Sequence, residues 1–151
     1  MTVCLVACSG RKLGHGAPAR DLYTGDTFVI ARRYVELAYP GRWGILSALH
    51  GLVMPEQVVE PYELHIDDLT RRARNAWGLR TAEQVRTRWP TADVVLLAPK
   101  AYRNALIGLK ATCPWDHVHN AGSGRQRRWL LDRIADLEVA LREAGLARSR
   151  S

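Results

Sequence analysis

Short apolar runs alternate with longer amphipathic segments along this chain. The runs are rich in aliphatic and β-branched residues, and they end at glycine, proline or polar residues, as buried strands do. Four of them predict strands: residues 2–7, 43–48, 92–98 and, in a short form, 115–119. The stretch 52–66 contains two prolines and no clean period, so it predicts an ordered loop that wraps the edge of the domain.

Between the strands, apolar residues repeat at helical spacing. The segment 26–38 predicts a helix that Pro40 and Gly41 stop. Asp67 is predicted to cap a second helix, and a capping box at 81–84 predicts a third, which Pro90 terminates. A fourth helix is predicted to begin at Pro99. A second capping box, at 123–126, predicts a long last helix that ends at Gly145.

Strands that alternate with helices predict an α/β fold. The expected architecture is a mainly parallel sheet of about four strands with helices on both faces. With 151 residues the chain is long enough for one hydrophobic core and too short for two ordinary ones. We therefore expect a single domain over residues 1–146, followed by a frayed basic tail at 147–151.

Charge and composition narrow the range of partners. The net charge is +7 and the pI is about 9.8, which favours polyanions, although an arginine-rich composition explains the charge equally well. Nucleic acid is the expected partner, DNA more than RNA. The sequence contains no apolar run of the roughly 20 residues that cross a bilayer, so a cytoplasmic protein without a membrane partner is expected. Its three cysteines, at irregular spacing, predict neither a disulfide framework nor a metal pair.

Parallel sheets bind ligands at the carboxyl ends of their strands, and phosphate-binding residues are predicted there. The loop after the first strand supplies backbone N–H groups, a hydroxyl and two cations through Ser9, Gly10, Arg11 and Lys12. The predicted start of the last helix supplies a second such set: Gly122, Ser123, Gly124, Arg125 and Arg127. Free amides and the helix dipole at that start favour an anion.

Other side chains near this edge suggest base recognition and acid/base chemistry. Candidate catalytic residues are Asp21, His50 and Glu60. Candidate base-binding residues are Cys8, Tyr23, Ser47 and Tyr62. A helix cap, a loop histidine bonded to backbone and a buried structural thiol explain several of these positions equally well, and Cys8 is not expected to be a nucleophile.

Neither a cofactor nor a metal is predicted. The loop after the first strand lacks the Gly-x-x-x-x-Gly-Lys-Ser/Thr spacing of a Walker A loop. His117 and His119 share one face of the predicted fourth strand, but no third ligand stands nearby.

The order of four motifs resembles a family of uncharacterised bacterial and phage domains. They are Cys-Ser-x-Arg-Lys at 8–12, Asp-Leu-Tyr-x-x-x-x-Phe at 21–28, Ile-Leu-Ser-Ala-x-His-Gly-Leu at 45–52 and Pro-Tyr-x-Leu at 61–64. That family is similar to the peroxide-stress protein YaaA and to the base-handling domain of archaeosine-type tRNA enzymes. The resemblance implies an architecture related to uracil-DNA glycosylases, although their Gly-Gln-Asp-Pro-Tyr and His-Pro-Ser motifs are absent from this sequence.

Three functional hypotheses follow. The first is an enzyme that processes a nucleobase, an N-glycosylase that excises a modified pyrimidine such as hydroxymethyluracil from DNA. The second is a non-enzymatic DNA-binding protein that acts in stress protection and needs only a basic face. The third is an enzyme that acts on a free nucleotide.

Overall fold

A five-stranded sheet forms the centre of the fold. The computed structural model describes residues 1–117 and 122–145. The sheet has the order β4-β3-β1-β6-β7, and its strands are β1 (Thr2–Ala7), β3 (Trp43–Ser47), β4 (Gly51–Val53), β6 (Asp93–Leu97) and β7 (Ala111–Thr112). All neighbours pair in parallel except β4, which returns antiparallel to β3. The predicted α/β class and mainly parallel sheet are confirmed.

Helices cover both faces of this sheet. The bounds are α1 (Ala19–Leu22), α2 (Asp26–Ala38), α3 (Arg71–Arg88), α4 (Lys100–Ala105) and α5 (Ser123–Glu143). Helices α2 and α5 pack with Cys4 and Val6 of β1, and α3 and α4 pack with Val3 and Leu5. Alternate residues of β1 thus enter two different cores, which explains why this strand is a continuous apolar run.

A small second sheet forms on the segment predicted as a loop. Strands β2 (Ala17–Pro18) and β5 (Val58–Val59) pair antiparallel, so residues 52–66 contain two short strands, β5 and the end of β4. A 3₁₀ turn, Ile66–Asp68, then leads into α3. These strands have only two or three residues each, too few to leave a period in the sequence.

The predicted pair of helices between Asp67 and Pro90 is wrong: α3 is one helix. Thr70 is its cap, and its hydroxyl accepts a hydrogen bond from the N–H of Ala73 at 3.1 Å. Thr81, predicted as a cap, is fully buried in the middle of α3, so tertiary packing overrides the local capping signal. Asp67 lies in the preceding 3₁₀ turn.

Two predictions near the end of the chain also need correction. Pro114–His117 form a 3₁₀ turn instead of the predicted strand, and β7 forms the outer parallel strand before it. Val118, His119 and 146–151 lie outside the described residues. Helix α5 begins with Gly122 as its N-cap, which has no side chain to accept a bond, so the predicted capping box is wrong. Gly145, with φ of +78°, lies just past the end of α5, as predicted.

The strand order determines where a ligand would fit. The chain leaves β1 toward α2 on one face and leaves β6 toward α4 on the opposite face. Adjacent parallel strands whose connections diverge leave a crevice at their carboxyl ends. In this fold the crevice lies between β1 and β6.

Candidate functional site

A cavity of about 440 Å³ occupies the carboxyl end of β1 and β6. The last residues of the two strands form its floor, the loop after β1 forms one wall, and the first turns of α2 and α5 close it. Its described lining residues are Val6–Arg11 without Gly10, Gly25–Phe28, Ala31, Leu97–Pro99, Trp115, Gln126, Arg127 and Leu130. We call this cavity the crevice.

At the mouth of the crevice, the Ser9 hydroxyl joins the loop after β1 to the start of α2 by hydrogen bonds. The Ser9 hydroxyl donates to the carbonyl of Arg11 at 2.7 Å and accepts the N–H of Gly25 at 3.1 Å. A Cβ at position 25 would lie 2.7 Å from that of Ser9, so only glycine allows the loop to approach the start of α2 this closely. Ser9 therefore positions the loop and α2 relative to each other.

Positive charge and free amides surround this mouth. Arg11 and Arg127 line it, and α2 and α5 begin there, so their unpaired N–H groups and dipoles favour an anion. Asp26, in the first turn of α2, is the one carboxylate among the described lining residues. The mouth thus combines two cations with a single acid.

The interior is apolar and partly aromatic. Phe28, Leu97, Trp115 and Leu130 line it and are all buried to at least 96%. A ligand with a flat apolar part and a negatively charged part matches such a cavity: the flat part fits the interior and the charge lies at the mouth.

Next to the crevice, four hydroxyls and one thiol form a buried hydrogen-bonded network. The Ser47 hydroxyl accepts the N–H groups of Leu49 and His50, so its own proton goes to Tyr62 at 2.5 Å. The Tyr62 hydroxyl lies 2.7 Å from that of Tyr23 and donates to the Cys8 sulfur at 3.9 Å.

Tyr102 completes this network from the opposite side of the sheet. Its hydroxyl lies 3.3 Å from the Cys8 sulfur. Cys8 therefore lines the crevice and also contacts the hydroxyls of Tyr62 and Tyr102. We call these five residues the tyrosine network: Cys8, Tyr23, Ser47, Tyr62 and Tyr102.

Lys12 and His50 pack against the tyrosine network, and His65 packs against the loop after β1. The Lys12 ammonium is 4.4 Å from the centre of the Tyr62 ring and donates to the carbonyl of Gly10. The His50 ring meets Tyr62 edge-on at 5.4 Å. The His65 ring packs against Gly10, within 2.8 Å of where a Cβ would be. The loop after β1 is thus fixed by these contacts as well as by the hydrogen bond between Ser9 and Gly25.

Burial suppresses the ionisation of every tyrosine. Burial raises the pKa of Tyr23 to about 12, and it raises the pKa values of Tyr62 and Tyr102 well above the ordinary range. Burial also raises the pKa values of Tyr34 and Tyr39. All five tyrosines of the chain are therefore expected to stay neutral when free tyrosine ionises.

The sign of the resulting pH dependence is clear. The folded state favours the neutral phenols, so their contribution to stability is complete below pH 10, the ordinary tyrosine pKa, and falls as the pH rises to 12 and beyond. We expect the urea midpoint to fall as the pH rises above 10, and native protein at pH 10.5 to show less tyrosinate absorbance at 295 nm than urea-unfolded protein at the same pH. Equal tyrosinate absorbance in the native and the unfolded protein would contradict this.

The structure brings together most, but not all, of the predicted site residues. Cys8, Ser9, Arg11 and Arg127 line the crevice. Lys12, Tyr23, Ser47, His50 and Tyr62 gather in or over the tyrosine network instead. Gly122, Ser123, Gly124 and Arg125 stand at the start of α5, directly before the lining residues. Gly10 lies in the wall loop.

Three predicted roles do not fit these positions. Asp21 is on α1, paired with Arg32 at 2.8 Å and outside the crevice lining. Glu60 packs against Gly16 and is also outside that lining. Tyr23 is 1% exposed and its ring lies against Phe28 and Tyr62, so it cannot stack on a base.

Sequence reasoning missed several residues of the crevice. Asp26, Thr27, Trp115 and Gln126 line it, but a helix start or a turn gives no chemical signal by itself. The useful signal is topological. Because β1 and β3 are parallel and α2 is the long helix between them in the chain, α2 must begin at the carboxyl edge of the sheet. Among residues 1–117 and 122–145, no three His, Cys, Asp or Glu side chains lie close enough together to hold a metal ion.

The chain matches the model of a known protein family. The model of a family of unknown function, DUF6884, matches residues 3–132. The chain belongs to the DUF6884 family. Every described residue that lines the crevice falls inside the segment that this DUF6884 model matches. No curated protein matches the chain. None of the described helices in this DUF6884 member is both long and apolar enough to cross a membrane.

Proposed function

We propose that the crevice binds a pyrimidine nucleotide and that the protein hydrolyses its N-glycosidic bond, releasing a modified base such as hydroxymethyluracil. One observation supports this most strongly: a buried aromatic and aliphatic interior opens directly into a mouth with Arg11, Arg127 and two helix starts. A base fits the first part and a phosphate fits the second. An architecture related to uracil-DNA glycosylases belongs to the same proposal.

In this proposal Asp26 takes the catalytic role that the sequence suggested for Asp21. Water adds to the anomeric carbon of the sugar, the bond to the base nitrogen breaks, and the base leaves with the electron pair and then takes a proton. An ionised carboxylate beside the sugar stabilises its developing positive charge and orients the water. Asp26 lines the crevice from the first turn of α2, next to the cationic mouth, and the proposal puts the sugar of the bound nucleotide beside it.

The position of the phosphate can be tested with one arginine. We expect Arg127→Ala to weaken binding of deoxyuridine monophosphate roughly tenfold, the effect of one charge-assisted contact of about 1.4 kcal/mol, and to leave deoxyuridine binding unchanged. Titration calorimetry with both compounds checks this. Equal losses for the nucleotide and the nucleoside would place the phosphate elsewhere.

The proposal as a whole is tested by filling the crevice. Thr27→Trp inserts a large side chain at a half-buried lining position, and Thr87→Trp adds the same side chain on the exposed face of α3. Duplex and single-stranded oligonucleotides carrying uracil or hydroxymethyluracil are then assayed for abasic product. We expect product with the Thr87→Trp protein, and none with Thr27→Trp or Asp26→Asn. No product from the unmodified protein on any modified pyrimidine would refute the proposed reaction.

A further inference from the structure

The cations of this protein divide into two groups. Seven arginines form ion pairs with carboxylates: Arg20, Arg32, Arg33, Arg86, Arg103, Arg128 and Arg133. The other thirteen cations in the described part of the chain have no such partner. Six of the thirteen belong to segments that begin or end at the carboxyl edge of the sheet: Arg11, Arg71, Arg72, Lys100, Arg125 and Arg127. We call these six the edge cations.

The start of α3 also lies at the carboxyl edge of the sheet, outside the crevice. The Trp77 indole donates to the carbonyl of Ser47, the last residue of β3, at 2.9 Å. Helix α3 begins six residues earlier, about 9 Å further along its axis, so Arg71 and Arg72 project past the ends of the strands. Lys100 is the first residue of α4 and directly follows Pro99, which lines the crevice.

These cations stand where helix electrostatics disfavours them. The first turns of α3 and α5 contain no acidic residue, although a helix N-terminus favours negative side chains. Arg71 and Arg72 belong to the first turn of α3, and Arg125 to that of α5. A bound polyanion relieves the unfavourable contact between these cations and the helix dipoles. The edge cations also flank the crevice, with α5 on one face of the sheet and α3 on the other.

We infer that the crevice takes its nucleotide from a single-stranded nucleic acid whose backbone crosses the carboxyl edge, with phosphates on the edge cations on both sides of the inserted unit. This rests on the proposed function and names its substrate class. The strand is single because an unpaired base enters an interior pocket without the free energy needed to open a duplex. Cations as far apart as α3 and α5 cannot all reach the phosphate of one free nucleotide.

Salt dependence tests this inference. Binding of fluorescein-labelled 15-nucleotide oligodeoxythymidine and oligouridine is measured by anisotropy across a range of salt concentrations. Six phosphate contacts predict a slope of log K against log salt of about −4 for a single strand. Arg71→Ala with Arg72→Ala is expected to make that slope shallower by about 1.4, and to leave deoxyuridine monophosphate binding unchanged. Tighter binding of one oligonucleotide shows whether the strand is DNA or RNA.

Lys110→Ala with Arg142→Ala is the matched control. Both residues are exposed and without a described ion pair, and they lie near the opposite, amino edge of the sheet, before β7 and at the end of α5. The control removes the same charge and is expected to change the slope by less than half as much.

Equal changes for the two double variants, or strand binding no tighter than that of the mononucleotide, would overturn the inference. If the mononucleotide fills the crevice in that case, the proposed function survives. If strands bind with the expected slopes but the unmodified protein yields no abasic product, the proposed reaction fails alone.

Discussion

Gly78→Ala is expected to destabilise the protein by about 3 kcal/mol, at the upper end of overpacking effects. A Cβ at position 78 would lie 1.8 Å from the carbonyl oxygen of Ala105 and 2.8 Å from its carbonyl carbon. These are backbone atoms of α4, so they cannot rotate away, and α3 and α4 must separate. Helix propensity alone would favour alanine by about 1 kcal/mol, so steric overlap decides the sign.

Gly124→Ala is the matched control for this substitution. Gly124 is also helical, in the first turn of α5, but nothing lies within 4 Å of the place that a Cβ would occupy there. The same change is therefore expected to be neutral or slightly stabilising. Urea unfolding of both variants measures the difference. If Gly78→Ala unfolds at the same urea concentration as Gly124→Ala, the two helices do not approach as closely as described.

Ser47→Ala is expected to have the second large effect, about 3 kcal/mol. The Ser47 hydroxyl is fully buried and accepts two backbone N–H groups while it donates to Tyr62. Removing it leaves several buried polar groups unsatisfied at once, each costing about 1–3 kcal/mol before the structure relaxes. Tyr62→Phe removes the other partner and is expected to cost about half as much.

A double-mutant cycle separates this network from ordinary packing. Because Ser47 and Tyr62 share one hydrogen bond, their two effects are expected to be non-additive by about 1 kcal/mol. Thr87→Ala removes an exposed hydroxyl from α3 and is expected to change stability by less than about 0.5 kcal/mol. Additive losses for Ser47→Ala and Tyr62→Phe would show that the two hydroxyls do not interact.

The parts of the fold that sequence predicts well are those with strong local signals. Strand β1 and helix α2 have the predicted bounds, because an uninterrupted apolar run and a clean helical period each extend over their whole length. Local patterns divide α3 into two pieces because Thr81 resembles a cap. Thr81 is buried beside Gly51 and Gln84, and a local sequence pattern cannot predict such tertiary contacts.

The sequence predicts where the candidate site lies better than it predicts which residues line it. The carboxyl edge follows from the order of strands and helices, so the sequence indicates both the loop after β1 and the start of α5. Residue type cannot tell Asp21 from Asp26, however. Five positions apart, one faces Arg32 on the surface and the other faces the crevice. Asp21 lies on α1 and Asp26 begins α2, so the tertiary placement of these two helices separates the two carboxylates.

The central position of β1 has a consequence for how the chain folds. Its neighbour on one side, β3, follows about forty residues later, and its neighbour on the other side, β6, about ninety residues later. Pairing over such sequence distances slows folding, because a large loop must close before the pairing stabilises anything. During synthesis the first strand therefore stays half-paired until β6 has emerged. The floor of the crevice, made by β1 and β6 together, is expected to be among the last parts to form.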